Sequence, residues 1–157
     1  MSKSSSNIIK SSAPGDGISV SGSRLTITVT GDGSSVVDSG DRNRTTLAGD
    51  GDGATLTGTN GNVVATGDNA FVSLAGTNNA ANVSGDGAFV MIKGTFNDAT
   101  VSGDGAAANM SGSDNSLTST GSGMAVFLSG TDNDVTIKGS FSSVSDLGTG
   151  NSISLKG

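Results

Sequence analysis

Five aspartates recur at an interval of eighteen residues, Asp32, Asp50, Asp68, Asp86 and Asp104, and no other residues in this chain come as near to metal chemistry by type and spacing. Carboxylates stacked one strand apart, at about 4.8 Å, repel one another by about 1 kcal/mol in a water-like dielectric. A bridging hard cation such as calcium relieves that repulsion. Backbone donors achieve the same more simply, because aspartates commonly accept hydrogen bonds from their own turn. The row lapses to Ser122 and Ser140. Turn stabilisation is therefore the expected role; no metal or cofactor is expected, and calcium is the alternative.

Other chemistry is sparser. The chain has no histidine and no cysteine, which removes the usual nucleophile–base pairs, disulfides, and metal sites of those ligands. Its acidic residues recur with the repeat instead of converging on one point, as general acid–base work requires. No enzyme is expected. A net charge of -6 argues against nucleic acid, which needs a basic stripe. No apolar run is long enough to insert in a membrane as a helix. The first residues lack the apolar core of a secretory signal. Placement outside the cell or on its surface, without such a signal, is favoured over the cytoplasm.

The elements that must carry these residues follow from glycine, which occupies every ninth position from Gly22 to Gly157. A fixed short period marks a solenoid. Counting each nonapeptide from its glycine, the sixth position is apolar in every repeat except at Thr45. The eighth is apolar except at Asp38, Ser119 and Asp146, and the seventh between them is mostly Thr, Ser or Asn. That alternation is a short strand with one buried face, followed by a turn whose leading glycine permits a left-handed or crowded backbone.

Alternate repeats differ. The fourth position holds Asn43, Asn79, Asn97, Asn115, Asn133 and Asn151 in one half, against Ala70, Ala88, Ala106 and Met124 in the other. The second position holds Thr59, Thr77, Thr95, Thr131 and Thr149 in the first half and the aspartate row in the second. The expected fold is all-β: a two-sided parallel β-solenoid, or β-roll, with eighteen residues per coil made of two nonapeptide halves. It has about 7.5 coils over a length of about 36 Å. Residues 1–12 read as a flexible polar tail and 13–157 as a single solenoid domain. The asparagines, Asn79, Asn97, Asn115, Asn133 and Asn151 above all, are expected to form an amide ladder between coils.

The period and segments such as Gly85-Asp-Gly-Ala-Phe-Val-Met-Ile-Lys93 resemble the RTX-type nonapeptide β-roll, whose pattern G-G-x-G-x-D-x-U-x holds calcium in its turns. The resemblance implies the fold. It does not carry the calcium site, because the ligating aspartate is replaced by Val72, Val90 and Val126.

Two outward faces remain. One bears Val37, Phe71, Phe89, Met91 and Phe127, an apolar set that reads as a self-association face. The other bears Thr28, Thr46, Thr100, Thr118 and Thr136, with Val64, Asn82 and Ser154 in the same series. A flat threonine array on a β-solenoid looks like the ice-binding surface of several antifreeze proteins, although Thr is also ordinary on exposed strands. The expected function is a non-enzymatic structural rod that self-associates as matrix, spacer or filament subunit. Its expected partner is a second copy through the Phe face, with end-to-end stacking into a fibre as an extension. Ice binding and calcium binding are the alternatives.

Overall fold

The computed structural model describes residues 7–157. Seventeen strands of four residues run from β1 (Ile8–Ser11) and β2 (Gly17–Val20) to β16 (Ser143–Asp146) and β17 (Ser152–Leu155). Odd-numbered strands form one parallel nine-stranded sheet and even-numbered strands an eight-stranded one. Each residue pairs with the residue eighteen positions away, as Val90 does with Val72 and Ala99 with Leu117. The molecule is a β-solenoid of about eight coils. Among the described residues there is no helix, so none long and apolar enough to cross a membrane.

The core lies between the two sheets and is two side chains deep on each strand. Positions six and eight point inward, and Ile27, Leu47, Leu74, Ile92, Leu117 and Leu128 are fully buried. Small Val and Ala suffice because the sheets are joined by turns of a few residues and stay close together.

The expected tail over residues 1–12 is corrected where it can be seen. Strand β1 pairs with β3 (Thr26–Val29), setting Ile9 opposite Ile27, and Ile9 packs against the core. The polar neighbours Ser11 and Lys10 hid this strand in the sequence, yet one inward apolar residue is enough to extend an existing sheet edge. Residues 1–6 lie outside the described part. Ile18 and Val20 supply the inward positions of β2, a half-coil ahead of Gly22.

The glycine period has a different cause from a left-handed turn. A Cβ placed on Gly94 would fall 1.7 Å from the carbonyl oxygen of Gly76 in the preceding coil. Crowding between coils therefore forbids any side chain there. The left-handed residue comes two positions later, with φ of 67° at Gly105 and 56° at Phe96. That turn of the backbone reverses the hydrogen-bond direction. The Gly105 N–H donates forward to the Ser122 carbonyl at 2.8 Å, whereas the Ala107 N–H donates back to the Ala88 carbonyl at 2.9 Å. Each coil is thus tied to its neighbours in both directions.

The polar exceptions in the core divide into two kinds. Buried Asp38 accepts from the Gly40 N–H at 2.9 Å and from Asn43 Nδ2 at 2.7 Å. Asp146 repeats the arrangement with Gly148 and Asn151. Thr45 Oγ1 and Ser119 Oγ, by contrast, are buried without a hydrogen-bond partner. An unpaired buried hydroxyl costs about 1–3 kcal/mol. Thr45→Val, which exchanges that hydroxyl for a methyl group of similar shape, is therefore expected to raise the melting temperature by about 2–4 °C for each kcal/mol recovered. Thermal unfolding followed by circular dichroism checks this, and an unchanged or lower midpoint contradicts it.

Candidate functional site

Four surfaces run the length of the rod: two sheet faces and two turn edges. On the edge that carries the asparagines, the fourth position points inward, and Asn79, Asn97, Asn115 and Asn133 are buried. Asn97 shows the pattern. Its Oδ1 accepts the Asn79 N–H at 2.9 Å, and its Nδ2 donates to the Gly76 carbonyl at 3.0 Å and to Asn115 Oδ1 at 3.2 Å. The next rung repeats this with Asn115 and Asn133, and Asn151 closes the series by accepting from the Asn133 N–H. The amide satisfies the Asn79 N–H, which the left-handed turn leaves without a strand partner, and adds a second donor to the Gly76 carbonyl, which also accepts the Thr95 N–H at 3.3 Å. Where Gly61 interrupts the row, its N–H still donates to Asn79 Oδ1 at 2.7 Å.

The opposite edge carries the aspartate row, whose hydrogen bonds cross between coils instead of closing their own turns. Asp32 Oδ1 accepts the Asp50 N–H at 3.1 Å, and Asp50, Asp68 and Asp86 each accept from the next aspartate's N–H. Asp104 ends the row by accepting from the Ser122 N–H at 2.7 Å. These carboxylates lie in one exposed line, each with an oxygen committed to the neighbouring backbone. Among the described residues, no three acidic, histidine or cysteine side chains converge as a metal site would require. Sequence reasoning missed buried Asp52, which does the asparagines' work on this edge. Its Oδ1 accepts the Ser34 N–H and its Oδ2 the Gly49 N–H, at 2.8 and 3.0 Å.

A family model described as a protein of unknown function, DUF3060, matches residues 83–150. That is less than half of the chain. No curated protein and no solved structure matches it. The likeness to the RTX-type roll rests on the coil, and the positions of that family's ligands are core valines: Val72, Val90 and Val126 are buried.

On the even-strand face, β8 (Phe71–Leu74) and β10 (Phe89–Ile92) set Phe71 beside Phe89. Their rings stack with centroids 5.9 Å apart and planes inclined by 11°. Phe127 is 60% exposed on β14 (Ala125–Leu128), one strand beyond Asn109, which itself neighbours Met91. Val37 lies apart from this group, separated by Thr55 and Ser73 in the same column. The other face sets Thr100, Thr118 and Thr136 on adjacent strands, and Thr28 beside Thr46, with Val64 and Asn82 between the two groups.

The turn corners hold two residues that the sequence reading passed over. Phe96 and Phe141 are 61% and 97% exposed, and both are in the left-handed conformation. On the asparagine edge, Asn60 and Thr59 donate to Asp41 Oδ1, both at 2.9 Å. Those hydrogen bonds, with help from the Arg42 and Arg24 guanidinium groups, hold the Asp41 carboxyl below its ordinary value.

The two polar rows predict unequal losses. Asn97→Ala strips the buried Asn79 N–H of its partner and the Gly76 carbonyl of one of its two donors, costing about 1–3 kcal/mol. Asp86→Ala removes one exposed acceptor and costs no more than about 1 kcal/mol. The Asp86→Ala shift in melting temperature should be equal with calcium and with chelator; a calcium-dependent difference would favour the cation alternative.

Proposed function

We propose that this chain is a non-enzymatic structural rod that associates with a second copy of itself through the Phe71–Phe89–Met91–Phe127 face. The observation that carries the reading is the stacked, partly exposed Phe71–Phe89 pair on the outer face of the even-strand sheet. Apolar side chains adjoin over consecutive coils there, with Ala107 and Ala125 completing the patch beside Phe89. A lone solenoid gains nothing from aromatic rings held out toward water, whereas a second sheet laid on them gains their burial. Association would also thicken a rod whose own core is two side chains deep. Spacer, matrix or filament roles all follow from such pairing, and end-to-end stacking would extend it.

A second reading rests on Thr100, Thr118 and Thr136, adjacent and in register on three strands. Their regular spacing suits ordering of surface water, and Val64 and Asn82 limit how far that rank extends.

The deciding measurement is mass by size exclusion with light scattering over about a hundredfold concentration range, at physiological salt. A dimer is expected, with Phe71→Ser combined with Phe127→Ser giving monomers of unchanged circular dichroism. Monomers of the unsubstituted chain throughout would refute the association face. Reshaping of ice crystals, lost on Thr100→Lys with Thr118→Lys, would then favour the second reading.

A further inference from the structure

The edge carrying the asparagine ladder has a charge order along the rod. Its outward corner is the third position of each odd repeat, left-handed in every coil. The series begins with Arg24 and Arg42, passes Asn60, Asn78 and Phe96, continues with Asp114 and Asp132, and closes on Gly150, which stands opposite Arg24 in the order. Two residues on, at the start of the strand, Arg44 stands at the basic end and Asp134 at the acidic end. All of these charged side chains are exposed. The other charges on the edge are Asp41, paired with Arg42 at 3.6 Å, and Lys93 and Asp98 near the middle. Asp146 lies at the acidic end, engaged with Gly148 and Asn151, and its counterpart Asp38 lies buried at the basic end, engaged with Gly40 and Asn43.

Phe96 supplies an independent observation. A bulky residue in the left-handed region is disfavoured, and this one recovers no burial, being 61% exposed at a φ of 56°. The turn imposes this φ in every coil, and Phe141 shares it on the opposite edge, so what singles out Phe96 on its own edge is an exposed aromatic ring among polar corner residues. It sits near the centre of the edge, where aromatic anchors of interfaces concentrate.

We propose that this edge is a second, self-complementary interface on which two copies pair antiparallel, distinct from the Phe71–Phe127 face. A two-fold axis across the edge, between the coils of Asn78 and Phe96, reverses the rod and keeps each column opposite itself. Arg42 then meets the partner's Asp132, Arg44 meets the partner's Asp134, and Asn60 meets the partner's Asp114. Phe96 lies over the partner's Asn78. No like charges are opposed, because Asp41 faces the partner's Thr131, Lys93 the partner's Ala75 and Asp98 the partner's Ala80. A parallel pair would set Arg42 against Arg42 and Asp132 against Asp132. The charge order thus selects one direction.

The edge is about 38 Å long and one turn wide, narrow beside the roughly 800 Å² per partner of a standard interface. The pairing is therefore weak and sensitive to salt, which screens exposed charges beyond about 10 Å at 0.1 M. Used together with the Phe face, it joins rods side by side: the assembly closes on four rods where the two two-fold axes intersect and extends as an array where they do not.

Charge exchange tests it in chains already carrying Phe71→Ser and Phe127→Ser, so that the other face does not contribute. Substitutions can be borrowed within each column: Arg and Asp both occur naturally at the third and fifth positions. Sedimentation velocity at about 10 mM salt is expected to show association of the parent, weakened at least tenfold in Arg42→Asp/Arg44→Asp and in Asp132→Arg/Asp134→Arg. A one-to-one mixture of these two variants is expected to restore it, since each supplies the charge the other lacks at both contacts. A parent that stays monomeric, variants that associate like the parent, or a mixture that fails to recover would each overturn the proposal. Failure here leaves the Phe-face reading intact, because that reading is measured at physiological salt with the phenylalanines present.

Discussion

Everything in this molecule depends on how closely one coil's backbone lies on the next at the leading glycine. A Cβ on Gly94 would sit 1.7 Å from the Gly76 oxygen, and one on Gly103 would sit 2.0 Å from that of Gly85. No side chain other than hydrogen fits, so glycine must return every nine residues for the coils to keep strand spacing at their corners as well as in their sheets. Once that approach is fixed, the two sheets are held a short turn apart. The inward positions then have room for only two residues per strand, and Val, Ala, Leu and Ile fill it. The low aromatic content is a consequence of this geometry.

Close stacking also creates the polar demands that the ladders meet. A turn that reverses its N–H direction at a left-handed residue leaves the following N–H buried and pointing at the next coil. On one edge an asparagine amide answers with an acceptor and a donor at once; at Asp52 and Asp38 a carboxylate answers two donors. Because every coil poses the same problem, identical side chains recur and each one supports its neighbour. The cost of breaking a rung therefore falls on two coils. Thr45 and Ser119 show what happens where the local rule is broken without a partner to accept the hydroxyl.

The strand positions, the inward columns and the asparagine ladder could be read from the sequence because each is written in one residue type at one phase. The left-handed corner could not. On the asparagine edge that position holds Arg, Asn, Phe, Asp and Gly in turn, so no compositional signature marks it, although every one adopts the same φ. Strand β1 was hidden for a related reason: its single core contact, Ile9, lies among polar residues that only the register of β3 explains. The aspartate row was legible as a row, but its acceptors reach the next coil because the second-position N–H points backward along the rod, a direction set by the turn and not by aspartate itself.

That unsigned corner is also where the repeat leaves freedom. Glycine is compelled by contact, the sixth and eighth positions by the core, the fourth by buried backbone groups. The third position pays a similar conformational cost whichever ordinary side chain it carries, and the side chain then projects beyond the coil. The outer strand positions are free in the same way. Variation along the rod is therefore confined to lines of residues about 4.8 Å apart, and the depressions at the two ends of the described rod are each lined by residues of adjacent coils. Recognition by such a surface is a matter of order and direction along a line. An apolar run on a sheet face says only that another flat surface can cover it. A sequence of charges that changes sign from one end of an edge to the other specifies which way a second rod must run, and a self-complementary order is the simplest that a single chain can encode.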